Sequence, residues 1–153
     1  MILHALVSVG HFIAAAFALV AALVAEWTML RGRVDGAVIE RLLRADLIYG
    51  LSAITVLAFG LCRVFFFDKP AAYYLHSVPF WAKLVLFAVI GLLSIAPTLA
   101  LFRARRAARV DVNYVMAASE MGMLRRRVSI ELMLLALVLL AASLTAKGVG
   151  LLD

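Results

Sequence analysis

"PFWAKLVLFAVIGLLSIAPTLALFR", residues 79–103, carries charge only at Lys83 and at its last residue, Arg103. Such a run is close to the ~20 residues that a helix needs to cross a hydrocarbon core of ~30 Å. Lipid offers no hydrogen bonds to a backbone, so a helix is the state this stretch must take. Pro97 falls in its last third, where neighbouring helices absorb a kink.

Working outward, three more runs of this kind appear, at about residues 3–25, 47–66 and 129–149, besides the one at 80–102. The expected fold class is all-α. It is a polytopic membrane protein with four transmembrane helices in a bundle and amphipathic cytoplasmic connections, making one domain over residues 1–153. Composition agrees with this. Of the 153 residues, 67% are hydrophobic and 16% charged, and the mean hydropathy is +1.09. A soluble domain carries about half apolar and a quarter charged residues, so the main solvent of this chain must be lipid. The net charge of +6 does not mark a nucleic-acid binder, because the basic residues sit between apolar runs and form no exposed stripe. Cys62 is the single cysteine, so no internal disulfide is available. The opening residues "MILHALVSVGH" hold no Lys or Arg, and the apolar run after them exceeds a usual signal-peptide core, so the first run reads as a retained span.

Lys and Arg set the expected orientation. Arg31, Arg33, Arg41 and Arg44 lie in the first connection; Arg103, Arg105, Arg106, Arg109, Arg125, Arg126 and Arg127 lie in the third. The second connection, "FDKPAAYYLHSVP", holds only Lys69. The positive-inside rule places the first and third connections in the cytoplasm and both termini outside, in a bacterial inner membrane. Tyr73, Tyr74 and Trp81 then suit the outer headgroup level. Val34, Val38, Ile39, Leu42 and Leu43 recur at helical spacing in the first connection, as do Val112, Val115, Met116, Met123 and Leu124 in the third. Both read as amphipathic segments or extensions of the spans, and the methionines as packing residues.

This topology sorts the polar residues into two layers. The inner layer holds Glu26, Asp46 and Glu131. Glu26 reads as an interfacial carboxylate paired with an arginine, and Glu131, four residues after Arg127, as half of a helical ion pair at the boundary. The outer layer holds all three histidines together with Arg63, Lys83 and Lys147. An ionisable group inside a span usually faces the bundle interior or water, which singles out His11.

Imidazole ligates haem iron, and Arg63 and Lys83 at the same level would suit propionate carboxylates. His4 and His11 are about 10 Å apart along one helix, too far to share an iron whose trans ligands lie about 4 Å apart. A second axial ligand would have to come from His76; a single proximal histidine with an open sixth position is equally allowed. His11 is thus the candidate metal ligand, and His11, Arg63, His76 and Lys83 are the candidate cofactor-binding residues. No Cys-x-x-Cys-His, phosphate-cradling glycine loop or Ser-His-Asp set is present, so the sequence gives hydrolysis no support.

A first-span histidine, then "RLLRADLIYGLSAITVLAFGLCRVFF", then "PFWAKLVLFAVIGLLSIAPTLALFR" resembles the HemJ-type membrane proteins over roughly residues 4–103. The nearest whole-chain resemblance is to a bacterial family of predicted membrane proteins, domain of unknown function 2214. That family distantly resembles the HemJ-type and copper-resistance-D-type membrane families. HemJ-type proteins are protoporphyrinogen oxidases of four or five helices whose first-span histidine binds haem b. A Trp-x-x-Lys-Leu type segment opens one of their later spans, and "WAKL", with Trp81 and Lys83, is similar. The resemblance implies His11 as haem ligand and Lys83 as the cation beside it; Arg63 enters by depth alone.

Three functions follow as expectations. The first is a haem b-binding redox protein acting on a porphyrin or a quinone. The second is a metal-handling or transport protein of copper-resistance-D type. The third is a non-catalytic membrane module, a homodimer for instance, packed through Gly50, Gly60, Gly91 and Ser94. Whether the protein is an enzyme is left open by the residues.

Overall fold

A computed structural model of the chain describes residues 9–11, 19–67 and 71–150. Val9, Gly10 and His11 are helical, while His4, Ser8 and Lys69 lie outside the described residues, as does much of the expected first span. The named helices are α1 (Val20–Met29), α2 (Gly36–Cys62), α3 (Ala71–Leu75), α4 (Val78–Val110) and α5 (Ala118–Ala146), with a π-helical turn at Arg63–Phe67 closing α2. Three of them, α2 with its π turn, α4 and α5, are long and apolar enough to cross a membrane; α1 is a shorter apolar helix.

These helices begin where the sequence can close their open N–H groups. Asp35 caps α2, its Oδ1 accepting from the Val38 N–H at 3.1 Å. Ser77 caps α4, whose first turn also holds Pro79, a residue with no N–H to leave unpaired. Hydroxyls within the apolar runs bond back along their own helices: Ser52 to the Ile48 carbonyl, Thr98 to Ser94 and Thr145 to Ala141. Helix α4 runs through Pro97 unbroken. The two charges that bracket its apolar stretch, Lys83 and Arg103, lie about 30 Å apart along the axis, one hydrocarbon thickness.

The helices pack in a ring. Helix α1 contacts α2 and α5, and α4 completes the circuit against α2 and α5. Leu23, Ile39, Leu42, Leu101, Leu124 and Val128 fill its core. The amphipathic connections turn out to be mostly helix extensions. Helix α2 starts at Gly36, well before residue 47, and Val34, Ile39 and Leu42 are fully buried. Between α4 and α5 only residues 111–117 remain outside helices, with Val112 exposed and Met116 buried. This short link is tied to the first connection: the Met116 N–H donates to the Val34 carbonyl at 2.9 Å, and Asp35 bridges Val115. Arg105 of α4 adds an ion pair to Glu40 of α2, Nε to Oε1 at 2.6 Å. The packing role expected of Gly50 and Gly91 is not seen within the chain, since a Cβ at either position would meet nothing within 4 Å.

Candidate functional site

At the end of the ring remote from the arginine-rich connections, all the packed segments stand apart around a cavity of about 460 Å³. Its walls are apolar, built from Leu57, Val64, Leu84, Phe87, Leu135 and Val138 among others. Three of the four residues singled out from sequence line it: His11, Arg63 and Lys83. They come from different parts of the chain. His11 sits on the helical piece before α1, Arg63 opens the π turn at the end of α2, and Lys83 lies in the second turn of α4. A π turn carries one extra residue and re-aims side chains, a device frequent at functional sites.

His11 is held in one orientation. Its Nδ1 lies 3.1 Å from the Val56 carbonyl oxygen on α2. A carbonyl only accepts, so Nδ1 carries the proton in this contact, and in the neutral ring Nε2 is then the basic nitrogen. Gly60, one helical turn beyond Val56, faces the same ring; a Cβ there would stand 3.3 Å from His11 Cε1. The absent side chain is what lets the imidazole lie against α2. At Gly10 the same economy admits Phe59, whose Cε2 would be 3.0 Å from a Cβ.

An aromatic group closes the cavity end. Tyr74 and Phe80 are buried beside Val64, with ring centroids 5.4 Å apart, and Tyr73 packs edge-on to Tyr74 at the same separation. The Lys83 Nζ stands 4.9 Å from the Phe80 ring centroid, a cation–π contact that holds the ammonium at this level. The Tyr73 hydroxyl donates to the Thr145 carbonyl at 2.9 Å, tying the group to the end of α5. His76 lies elsewhere. It is exposed on the link between α3 and α4, with Nδ1 2.8 Å from the Ala72 carbonyl, and it does not line the cavity.

A comparison with protein-family models matches residues 3–150 to the family described as predicted membrane protein, domain of unknown function 2214. The chain belongs to this family. Comparison with curated proteins gives no match, and comparison with solved structures gives none. The family assignment agrees with the whole-chain resemblance and with the membrane-spanning helices, while its description names no ligand or reaction.

The other polar layer departs from expectation. Glu26 is 3% exposed and Glu131 1% exposed, so neither is an interfacial anchor. Both face inward, within electrostatic reach of each other and of Asp46 and Tyr49 on α2. Arg127 acts on Glu131 from one turn away, as the spacing suggested, yet the carboxyl itself is enclosed. A sequence signal for this was present. Glu26 sits on the stripe Ala22, Leu23 and Leu30, and Glu131 on the stripe Leu124, Val128 and Leu135, all buried positions at helical spacing. Among the described residues, no group of three or more His, Cys, Asp or Glu is arranged to hold a metal ion.

Proposed function

We propose that this protein is a membrane redox protein that binds haem b in the cavity between α2, α4 and α5, where His11 would hold the iron. The observation that carries the reading is the convergence of His11, Arg63 and Lys83 on one apolar cavity of about 460 Å³. Cofactor and small-molecule pockets usually measure about 300–1,000 Å³ and combine apolar walls with a few polar groups. The donor set fits the group. His11 gives Nδ1–H to a backbone carbonyl, the outer partner that metal-ligating histidines usually have, which leaves Nε2 as the basic nitrogen of the neutral ring. Gly60 keeps the space beside the ring open, and Arg63 and Lys83 supply positive charge for propionates. With His76 turned away, His11 is the one histidine among the described residues that would hold the iron.

Bound haem would supply one-electron chemistry. The chain's own part is to fix the imidazole through Val56, to exclude water with the Tyr74–Phe80 group, and to balance carboxylate charge with Arg63 and Lys83. A porphyrin or a quinone is the substrate class that such a lipid-level cavity would serve. The finer topology belongs to the same proposal: four spans, the first continuing from His11 through α1, both termini outside and the arginine-rich end in the cytoplasm of a bacterial inner membrane.

Visible spectra test this directly. Purified in detergent after expression with ample haem supply, the chain should show a Soret band and split reduced bands, both lost in His11→Ala. A colourless native protein would overturn the reading, as would an unchanged spectrum in His11→Ala. Metal analysis of the same sample checks the copper-handling alternative.

A further inference from the structure

The inner polar layer encloses two carboxyl groups that the cavity at the other end does not use. Glu26 on α1 and Glu131 on α5 are almost wholly removed from solvent, and the Oε1 atom of each is buried with no hydrogen-bond partner. An isolated carboxylate in such a place costs several kcal/mol, so the charge must be met by a donor, a cation or a proton.

Among the described residues, polar groups face this layer from four elements. From α2, the Tyr49 hydroxyl is directed at the Glu131 carboxyl, and Asp46 adds a further carboxylate. From α4, the Thr98 hydroxyl bonds Asp46 Oδ1 at 2.9 Å. From α1, the Trp27 Nε1–H donates to Ser129 Oγ at 3.0 Å, and Arg31 stacks 3.5 Å over the Trp27 ring. From α5, Arg127 acts on Glu131. None of these reaches the two unpartnered oxygens. A metal ion would need several ligands converging at short range, and the described residues offer no such group. An enclosed carboxyl group has a simpler solution, because a bound proton removes its charge and, with it, the repulsion from its acidic neighbours.

We propose that Glu26 and Glu131, with the Tyr49 hydroxyl against Glu131, form a proton-binding site that carries an exchangeable proton on its enclosed carboxyl groups. The site lies at the arginine-rich end, one turn from the close of α1 and next to exposed Ser129, so it exchanges with the solution on that side. It does not depend on what the cavity at the other end binds. In function it is a proton store inside the membrane-spanning bundle, available to any charge movement across it.

Infrared titration of the full chain in lipid nanodiscs tests the site. The wild type should show a carboxylic-acid C=O band that shifts in D₂O and is lost in a single one-proton step as pH is raised. Glu26→Gln and Glu131→Gln should each abolish or displace that step, while Glu40→Gln, which alters a half-exposed ion pair, keeps it. Dicyclohexylcarbodiimide, which reacts with protonated carboxyl groups in apolar surroundings, should label Glu26 or Glu131 in the wild type, as read by peptide mass mapping. This measurement stands even where a Gln variant does not fold. Absence of the band, labelling confined to other residues, or a step kept unchanged in both Gln variants overturns the proposal. So does a step that disappears when sodium replaces choline as the bulk cation, because the counter-ion would then be a metal.

Discussion

The two ends of the ring treat their polar residues in opposite ways. At the cavity end, His11, Arg63 and Lys83 stand around a volume, each fixed from behind by a carbonyl, a π turn or an aromatic ring. At the arginine-rich end, Glu26, Tyr49 and Glu131 are buried with the core of Leu23, Leu42 and Val128, and the open pocket of about 480 Å³ at that end is lined by other residues, Arg103, Tyr114 and Glu120 among them. The first arrangement is sensitive to shape, since filling the volume removes the site. The second is sensitive to charge and packing, since nothing there can move aside.

Substitutions that act on one end only sharpen this contrast. The largest expected effect on stability is at the packed end. Leu23→Ala, at 1% exposure, should cost about 2–5 kcal/mol in denaturant unfolding in detergent, whereas Leu84→Ala on the cavity wall should cost less than half as much. Equal losses would erase the distinction between a filled end and an open one. Gly60→Leu is the converse case. It should push the His11 ring from its seat and, if the cavity takes up haem as proposed, weaken that uptake at least tenfold, about 1.4 kcal/mol, while changing helicity little; unchanged uptake would break the link between Gly60 and His11. Tyr49→Phe removes the hydroxyl facing Glu131 and should destabilise by about 1–3 kcal/mol without altering the cavity-end spectrum. Asp35→Ala deletes the α2 cap and should cost about 1 kcal/mol. The smallest effect belongs to Glu40→Gln, which breaks a half-exposed ion pair and should change stability by about 0–1 kcal/mol.

Much of this was legible in the sequence because lipid imposes a simple grammar. Apolar length gave the helices over 47–66, 80–102 and 129–149, and arginine placement separated two polar levels. Depth along each helix was enough to group His11 with Arg63 and Lys83. Rotation about each helix was not readable, because a nearly uniform apolar surface has little amphipathic contrast to mark its inner face. That is why Glu26 and Glu131 looked like boundary residues, although Ala22, Leu23 and Leu30 around the first and Val128 and Leu135 around the second are core. It is also why His76 could not be separated from the other histidines, since its direction depends on the turn between α3 and α4. The π turn at Arg63 left no mark in the residues that announce it.

The tie between Met116 and Val34 has a consequence in time as well as in space. It joins the segment before α2 to the segment after α4, so both helices must be inserted and paired before it can form. Closing so long a loop is entropically costly, which makes the tie a late event in assembly. Contacts made after the rate-limiting step hold a protein folded without helping it to fold. Weakening the tie should therefore leave the rate of assembly unchanged and shorten the lifetime of the finished bundle.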